Sequence, residues 1–269
     1  MTGTAIPIDV VGARRRAPAL LARTVAACAL DAPTRDAAYA LFRGAYDGTD
    51  RARFERDLAE KQHVILLHDR ESGALRGFST VLVRELAGPR GPAAVVFSGD
   101  TVIDRAYWGQ KQLQLAFARL LFRLKLARPG RELYWFLVSK GYRTYLLLAN
   151  AFPRAVPRFD RPDEPELRRV LDALARERFG AEYDAAGGVV RYASPREHVR
   201  EGLAPVTAEA LRSAHVRFFV ERNPGHAAGD ELACLAVVRT RDLARTVVRI
   251  AAARVRRALA VPRGAGTPR

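Results

Sequence analysis

Between Ala93 and Ile103 the chain runs through eleven residues that carry one charge, Asp100. A run this apolar and this short suits a strand buried on both faces. It has companions of the same character in His63-Val-Ile-Leu-Leu67 and Leu133-Tyr-Trp-Phe-Leu-Val138. Gly77-Phe-Ser-Thr-Val-Leu-Val83 follows the first of these across the turn Asp69–Gly73, so the two read as an antiparallel hairpin. Strands buried on both faces need helices to cover them, and helical spacing appears between the runs. Asp31–Gly44 places Ala37, Ala38, Leu41 and Phe42 on one face, and Asp50–Lys61 does the same with Phe54 and Leu58. After Asp104–Gly109 a long helix runs to about Leu126, with Leu113, Phe117, Leu120, Leu121 and Leu124 on one side and Arg128-Pro129-Gly130 as its stop. Tyr142–Asn150 reads as another helix, ended by Pro153 and Pro157, and Arg23–Leu30 reads as a first strand.

Beyond Pro157 the pattern is looser. Pro165–Phe179 has helical spacing, Gly187-Gly188 turns into the strand-like Val189–Tyr192, and Thr207–Val220 reads as a helix. Phe218–His226 and Gly229-Asp-Glu-Leu232 form a dense polar turn beside two aromatics, more like a site or a pocket wall than a simple linker. An amphipathic, Arg-rich run from Leu235 to Leu259 follows, and Pro262–Arg269 reads as a disordered tail. The expectation is an α/β fold: a mixed, mostly antiparallel twisted sheet flanked by helices, with an α-rich C-terminal extension. Its parts would be a tail at 1–19, a core at 20–157, an extension at 158–260 forming a pocket wall or lid, and a tail at 261–269.

Charge narrows the partners. The 269-residue chain carries a formal +16, but only four of its 45 cations are lysines, Lys61, Lys111, Lys125 and Lys140. Such an Arg bias, alongside abundant Ala, is compositional, so nucleic acid is not the expected partner, whereas an acidic carrier protein or peripheral membrane contact is. Arg239, Arg241, Arg245, Arg249, Arg254, Arg256 and Arg257 interleave with Val and Ile as on an interfacial helix; a solvated helix with one face on the core is the plainer alternative. Cys28 and Cys234 lie far apart in apolar surroundings and read as reduced core residues, and no histidine has metal-ligand spacing, so no metal is expected. Arg14–Arg16 ahead of Ala17–Leu30 imitates a signal sequence, but Arg23 interrupts it, and no stretch of about 18 apolar residues exists. The expected location is the cytoplasm, with or without contact at the inner face of the membrane.

The order of elements up to about residue 155 resembles that of the GNAT acyltransferases. Tyr107-Trp-Gly-Gln-Lys-Gln-Leu113 is similar to the Tyr-Arg-Gly-x-Gly-x-Gly turn that opens a helix after the fourth strand of that superfamily, with Gly109 alone of the glycines retained. Tyr142–Phe152 is similar to the family helix that ends in Gly-Phe, with Ala151 in place of the glycine. The resemblance implies an N-acyltransferase moving an acyl group from acyl-CoA, or from a phosphopantetheine arm on an acyl carrier protein, to a small-molecule amine. Ile103, Trp108, Gly109, Gln110, Lys111 and Gln112 would hold the donor, since amides at a helix N-terminus suit its phosphates. The alternative is a non-catalytic relative that binds a small molecule or acts as a scaffold.

Acyl transfer needs a base for the amine and a proton source for the departing thiolate. Asp100, on the strand end that would face the thioester, is one candidate base; alternatively it bonds a neighbouring backbone group. His226 is the second, being a group that titrates near neutrality in a polar turn. Tyr145 would protonate the thiolate, with Tyr142 equally available by sequence. Trp108 and Trp135 would line an acyl tunnel or pack as core residues. His63, His68, His198 and His215 read as ordinary structural or surface residues.

Overall fold

The computed structural model describes residues 19–192, 198–199 and 206–260. In chain order these form β1 (Leu20–Ala26), α1 (Ala32–Ala45), β2 (Tyr46–Asp47), α2 (Arg51–Ala59), β3 (His63–Asp69), β4 (Leu75–Gly88), β5 (Gly91–Ile103), α3 (Gln112–Leu126), β6 (Glu132–Ser139) and α4 (Tyr142–Ala151). Then come β7 (Ala155–Val156), α5 (Pro165–Phe179), β8 (Tyr183–Asp184), β9 (Val189–Val190), β10 (His198–Val199), α6 (Ala214–Arg222), β11 (Glu231–Val237) and α7 (Thr240–Ala260). Helix starts follow local chemistry. The Asp31 and Asp50 carboxylates accept from Thr34 N at 2.9 Å and Arg53 N at 2.7 Å, capping α1 and α2, an arrangement worth about 1 kcal/mol each. Pro165 opens α5, where its missing N–H costs nothing.

Nine of the strands form one mixed, mostly antiparallel open sheet in the order β1-β3-β4-β5-β6-β11-β9-β8, with β7 paired to β11, while β2 and β10 pair antiparallel apart from it. Among the described strands only β5 and β6 run parallel. Alternation along the strands divides the core between the two faces. Ile65, Val81, Val96, Leu133, Leu137 and Cys234 point to the side covered by α3, α4, α6 and the start of α7. Phe97, Tyr134, Phe136 and Leu235 point to the side covered by α5, and Val64, Leu66 and Phe78 meet α1 and α2 on that opposite side.

Several elements depart from the sequence reading. The first strand begins and ends earlier than Arg23–Leu30, because pairing with β3 runs from Leu20↔Asp69 to Ala26↔His63 and the chain then turns in a short 3-10 segment, Ala27–Ala29, to enter α1. Cys28 lies in that turn and is exposed, not a core residue, while Cys234 is fully buried in β11. The Thr207–Val220 helix shortens to α6, because Ala210–Arg212 forms a separate 3-10 turn before Ser213. The larger correction is β11. Glu231–Val237 is a strand, buried at every residue, and it pairs with β6 from Leu232↔Ser139 to Val237↔Tyr134. Leu235–Val237 therefore does not begin the last helix, and the sheet runs continuously across the boundary expected at residue 157. Only from Thr240 does the Arg-rich segment become α7, which packs on α3 and α4. Its Leu243 is buried and its Val248 and Val255 are exposed. The side chains of His198, Arg254 and Arg257, and the expected tails up to residue 18 and from 261, lie outside the described residues. No described helix is long and apolar enough to cross a membrane.

Candidate active site

The parallel pair is short. β5 and β6 pair from Ala93↔Glu132 to Ser98↔Leu137 and then part. Past Ser98, β5 stays with β4 as far as Ile103↔Gly77, and β6 stays with β11 as far as Ser139↔Leu232. The parting coincides with a bulge. Ser79 pairs with Thr101 and Val81 with Ser98, so Gly99 and Asp100 together oppose Thr80 alone. An extra residue of this kind bends its strand and re-aims side chains. Glycine is required here by space: a Cβ on Gly99 would lie 2.6 Å from Thr80 Oγ1 and 3.1 Å from Lys61 Cε. Ser79 and Thr101 hydroxyls bond at 2.8 Å and hold the strand on the far side of the bulge.

A cavity of about 970 Å³ occupies the gap, lined by Ser98–Ile103 on one side and Val138–Gly141 on the other. Because the two strands run parallel, the helices that follow them begin at the same end. The N-termini of α3 and α4 both reach this cavity, through Gly109–Lys111 and Gly141, Arg143 and Thr144. Neither N-cap residue, Lys111 or Gly141, makes a side-chain cap, and neither first turn holds an acid. Gly109 has φ +84°, the left-handed conformation that lets the chain turn into α3. Lys111, Arg143 and the exposed Arg249 of α7 add positive charge. Trp108 bonds Ile103 O through Nε1 at 2.8 Å, and the Arg143 guanidinium lies 4.9 Å from its ring centroid. Ile103 lines the same wall, and the Gln110 side chain, also lining it, accepts from Leu20 N at 2.9 Å. Gln112 is not in the lining; Gln114 is, with its buried Oε1 unpartnered among the described residues.

The other end of the cavity is rich in carboxylates. Asp100 is half-buried, and its carboxylate makes no hydrogen bond to neighbouring backbone among the described residues. Burial pushes it up to about 6, opposed by Lys61 and Lys140 and reinforced by Asp57 and Glu231. Lys61 is buried, with Nζ donating to Asp57 O at 2.7 Å and standing 3.8 Å from Glu60 Oε2. Desolvation and the nearby Arg178 lower its pKa, with Asp100 pulling the other way. Lys140 Nζ lies 3.3 Å from Glu231 Oε1 and over the rings of Tyr46 and Tyr192, at 5.5 and 5.9 Å, while Tyr192 OH donates to Glu231 Oε2 at 2.6 Å.

Of the sequence candidates, the cavity gathers Asp100, Ile103, Trp108, Gly109, Gln110 and Lys111. His226 and Tyr145 are not in its lining. His226 sits in the 3-10 turn Pro224–Ala228, where Nδ1 bonds Asn223 O at 2.9 Å and the ring packs edge-on to Phe219. Tyr145 is fully buried on the core face of α4; its hydroxyl meets His215 Nδ1 at 3.1 Å and Pro157 O at 3.4 Å, and burial raises its pKa. Tyr142 is buried on the same face and also absent from the lining. Trp135 is a core residue, packed on Phe117 and Phe152 with Nε1 donating to Ser98 Oγ at 3.0 Å. Tyr145→Phe is therefore expected to leave turnover far closer to wild type than the ~10²-fold loss that removing a general acid brings; steady-state kcat measures it, and a larger loss would return Tyr145 to the chemistry. Sequence reasoning missed Lys61 and Lys140 altogether. The one signal in the sequence was the scarcity of lysine, four among 45 cations; the structure brings three of those four into this cavity. Among the described residues, no cluster of His, Cys, Asp and Glu has the arrangement of a metal site.

No protein-family model matches the sequence, and no curated protein matches it significantly. Solved structures resemble it remotely. A conserved protein of Enterococcus faecalis V583, described as a probable N-acyltransferase, matches at 14% identity over 48% of this chain and 32% of its own, with a TM-score of 0.37. The GNAT family N-acetyltransferase YhbS of Escherichia coli, solved with CoA, matches at 16% identity over 52% of this chain and 74% of its own, with a TM-score of 0.36. NAA60 of Arabidopsis thaliana, solved with a bisubstrate analogue, matches at 14% identity over 52% and 90%, with a TM-score of 0.34. The strand order, the parallel pair at the centre of the sheet and the gap where that pair parts make a mixed, mostly antiparallel α/β fold of the kind expected from the sequence.

Proposed function

We propose that the chain is an N-acyltransferase that moves an acyl group from a thioester, acyl-CoA or an acyl-phosphopantetheine carrier, to an amine. One juxtaposition carries this reading. A carboxylate raised to about 6, free of backbone hydrogen bonds, faces the same cavity as two uncapped helix N-termini. The cationic end, with Lys111, Arg143 and the amides of Gly109–Lys111, suits the phosphates of the donor. The thioester would lie in the gap between β5 and β6, and the amine would enter from the side of Asp57, Asp100 and Glu231. As the amine attacks the carbonyl carbon, its nitrogen becomes cationic and strongly acidic; Asp100, ionised above about pH 6, takes that proton. The C–S bond then breaks and the electron pair leaves on sulfur. Attack is direct, with no acyl-enzyme required.

Reversing the charge at the phosphate end tests the donor. Acetyl-CoA at about 100 times its Kd is expected to stabilise the wild-type fold by ~2.7 kcal/mol. In a Lys111→Glu, Arg143→Glu double variant the same concentration should give little or no stabilisation, with the unliganded melting temperature nearly unchanged because Lys111 makes no ion pair among the described residues and Arg143 only ring contacts. Equal thermal shifts in the two proteins would remove this end of the cavity as the donor site. Thiol release in the presence of an amine then separates turnover from binding alone.

A further inference from the structure

We propose that Lys61 is itself an acyl acceptor, so that the protein modifies its own cavity when a thioester is bound and no amine substrate is present. The inference rests on the thioester reading above and begins from usage. In a chain where 41 of 45 cations are Arg, lysine occurs at four positions, and Lys61, Lys111 and Lys140 all line one cavity. Arginine supplies a positive charge equally well but does not give up its proton in proteins. Lysine at a reaction site therefore offers something arginine cannot, a neutral amine.

Geometry separates the three. Lys111 stands at the N-cap position of α3, without capping it, at the proposed phosphate end. Lys140 is engaged elsewhere: its Nζ lies 3.3 Å from Glu231 Oε1 and over the rings of Tyr46 and Tyr192. Lys61 is different. Its side chain is 2% exposed, and its stem packs against Gly99 so closely that a Cβ there would lie 3.1 Å from Cε. The amine is thus held beside the bulge that presents Asp100, with one firm hydrogen bond, to Asp57 O at 2.7 Å. Burial favours its neutral form. Nucleophile and base are thereby side by side at the place where β5 and β6 part.

The chemistry balances without another reactant. The Lys61 ammonium first loses a proton to solvent. Its nitrogen pair attacks the thioester carbonyl, the C–N bond forms and the C–S bond breaks with its pair leaving on sulfur. The second proton passes to Asp100 and from there to the thiolate, leaving an amide on Lys61 and a free thiol. An amide is not readily reversed, so each modified chain has lost the Lys61 charge beside Asp100 and holds an acyl group in its own cavity.

The test incubates the full-length protein with acetyl-CoA, without added amine, and follows it by intact mass spectrometry and peptide mapping. The expected result is a single added acetyl group on the peptide containing Lys61. It should be absent from Lys61→Arg, strongly slowed in Asp100→Asn and absent from the urea-unfolded chain. Mapping on the wild-type protein decides the site even if Lys61→Arg fails to fold. Modification at Lys111 or Lys140, or of all four lysines equally in folded and unfolded protein, would overturn the proposal. So would an unmodified Lys61 that merely ties the end of α2: if thioester is consumed with an added amine and Lys61 stays unmodified, self-acylation is wrong and acyl transfer stands. If acetyl-CoA neither stabilises the protein nor is consumed with amines present, both readings fail.

Discussion

Asp100→Asn is expected to lower kcat about 10²- to 10⁴-fold, the range for loss of a general base, while making the fold more stable at neutral pH. The two effects have one cause. In the folded chain the Asp100 carboxyl is raised from 3.8 to about 6. A group raised on folding favours the native state while protonated, fully so below the unfolded value, and loses that contribution as pH rises through the folded value. At pH 7.5 the wild-type protein has lost it; Asn, which never ionises, has not. A shift of that size corresponds to about 3 kcal/mol, and because Asp100 keeps some access to water the expected gain is about 1–3 kcal/mol. Urea unfolding at pH 7.5 and pH 4 measures it, with the advantage of Asn shrinking toward zero at the lower pH. In the wild type, kcat/KM should rise with pH through about 6, and this limb should vanish in the variant. An Asn variant that is both active and less stable would show that the carboxylate is structural.

A fragment ending at Pro157 is expected not to fold cooperatively. It contains every element of the stretch that reads as a self-contained core, yet it leaves β6 with an open edge. In the intact chain β11 occupies that edge with seven buried residues, of which Leu232, Ala233, Cys234, Leu235 and Ala236 are wholly inaccessible. Removing it exposes Leu133, Leu137 and Phe136 to water and leaves unpaired backbone beside them. Circular dichroism should show a broad, low-amplitude melt, and the fragment should aggregate. In the full chain, Leu235→Ala should cost about 2–5 kcal/mol, in line with other large-to-small changes in a packed core. A sharp two-state transition in the fragment would show that the first 157 residues are an independent domain.

What the sequence revealed, and what it hid, follows the range of the interactions involved. Asp31, Asp50 and Pro165 act on amides within three residues, so α1, α2 and α5 could be read almost to their ends. The β5–turn–α3 unit was legible for the same reason. β11 was not, because its six consecutive apolar residues, Leu232–Val237, lead toward an amphipathic helix and carry no period of their own, and their partner, β6, lies about a hundred residues earlier. Helix phase explains Tyr145. The spacing identified α4 but not which side meets the sheet; Tyr142, Tyr145, Leu148 and Ala149 face inward, leaving Arg143, Leu146, Leu147 and Asn150 for the cavity. His226 looked available because the polar groups around it were visible, whereas its bond to Asn223 O depends on a turn that only the fold defines. Lys61 and Lys140 come from the ends of different elements, and nothing short of the tertiary structure brings both to Asp100.

The wall that α7 contributes has a practical meaning. Thr246, Arg249, Ile250 and Ala253 line the cavity from a helix outside the sheet, as Leu146 and Leu147 do from α4, whereas Asp100, Lys61, Lys140 and Glu231 are mounted on or beside the strands. Under the proposed acyl-transfer reading, selectivity and chemistry have separate supports. The cavity can be reshaped at Ile250 or Ala253 without touching the bulge, the parting strands or the titrating cluster, so on that reading the scaffold can change what it accepts while the proposed reactive centre stays fixed.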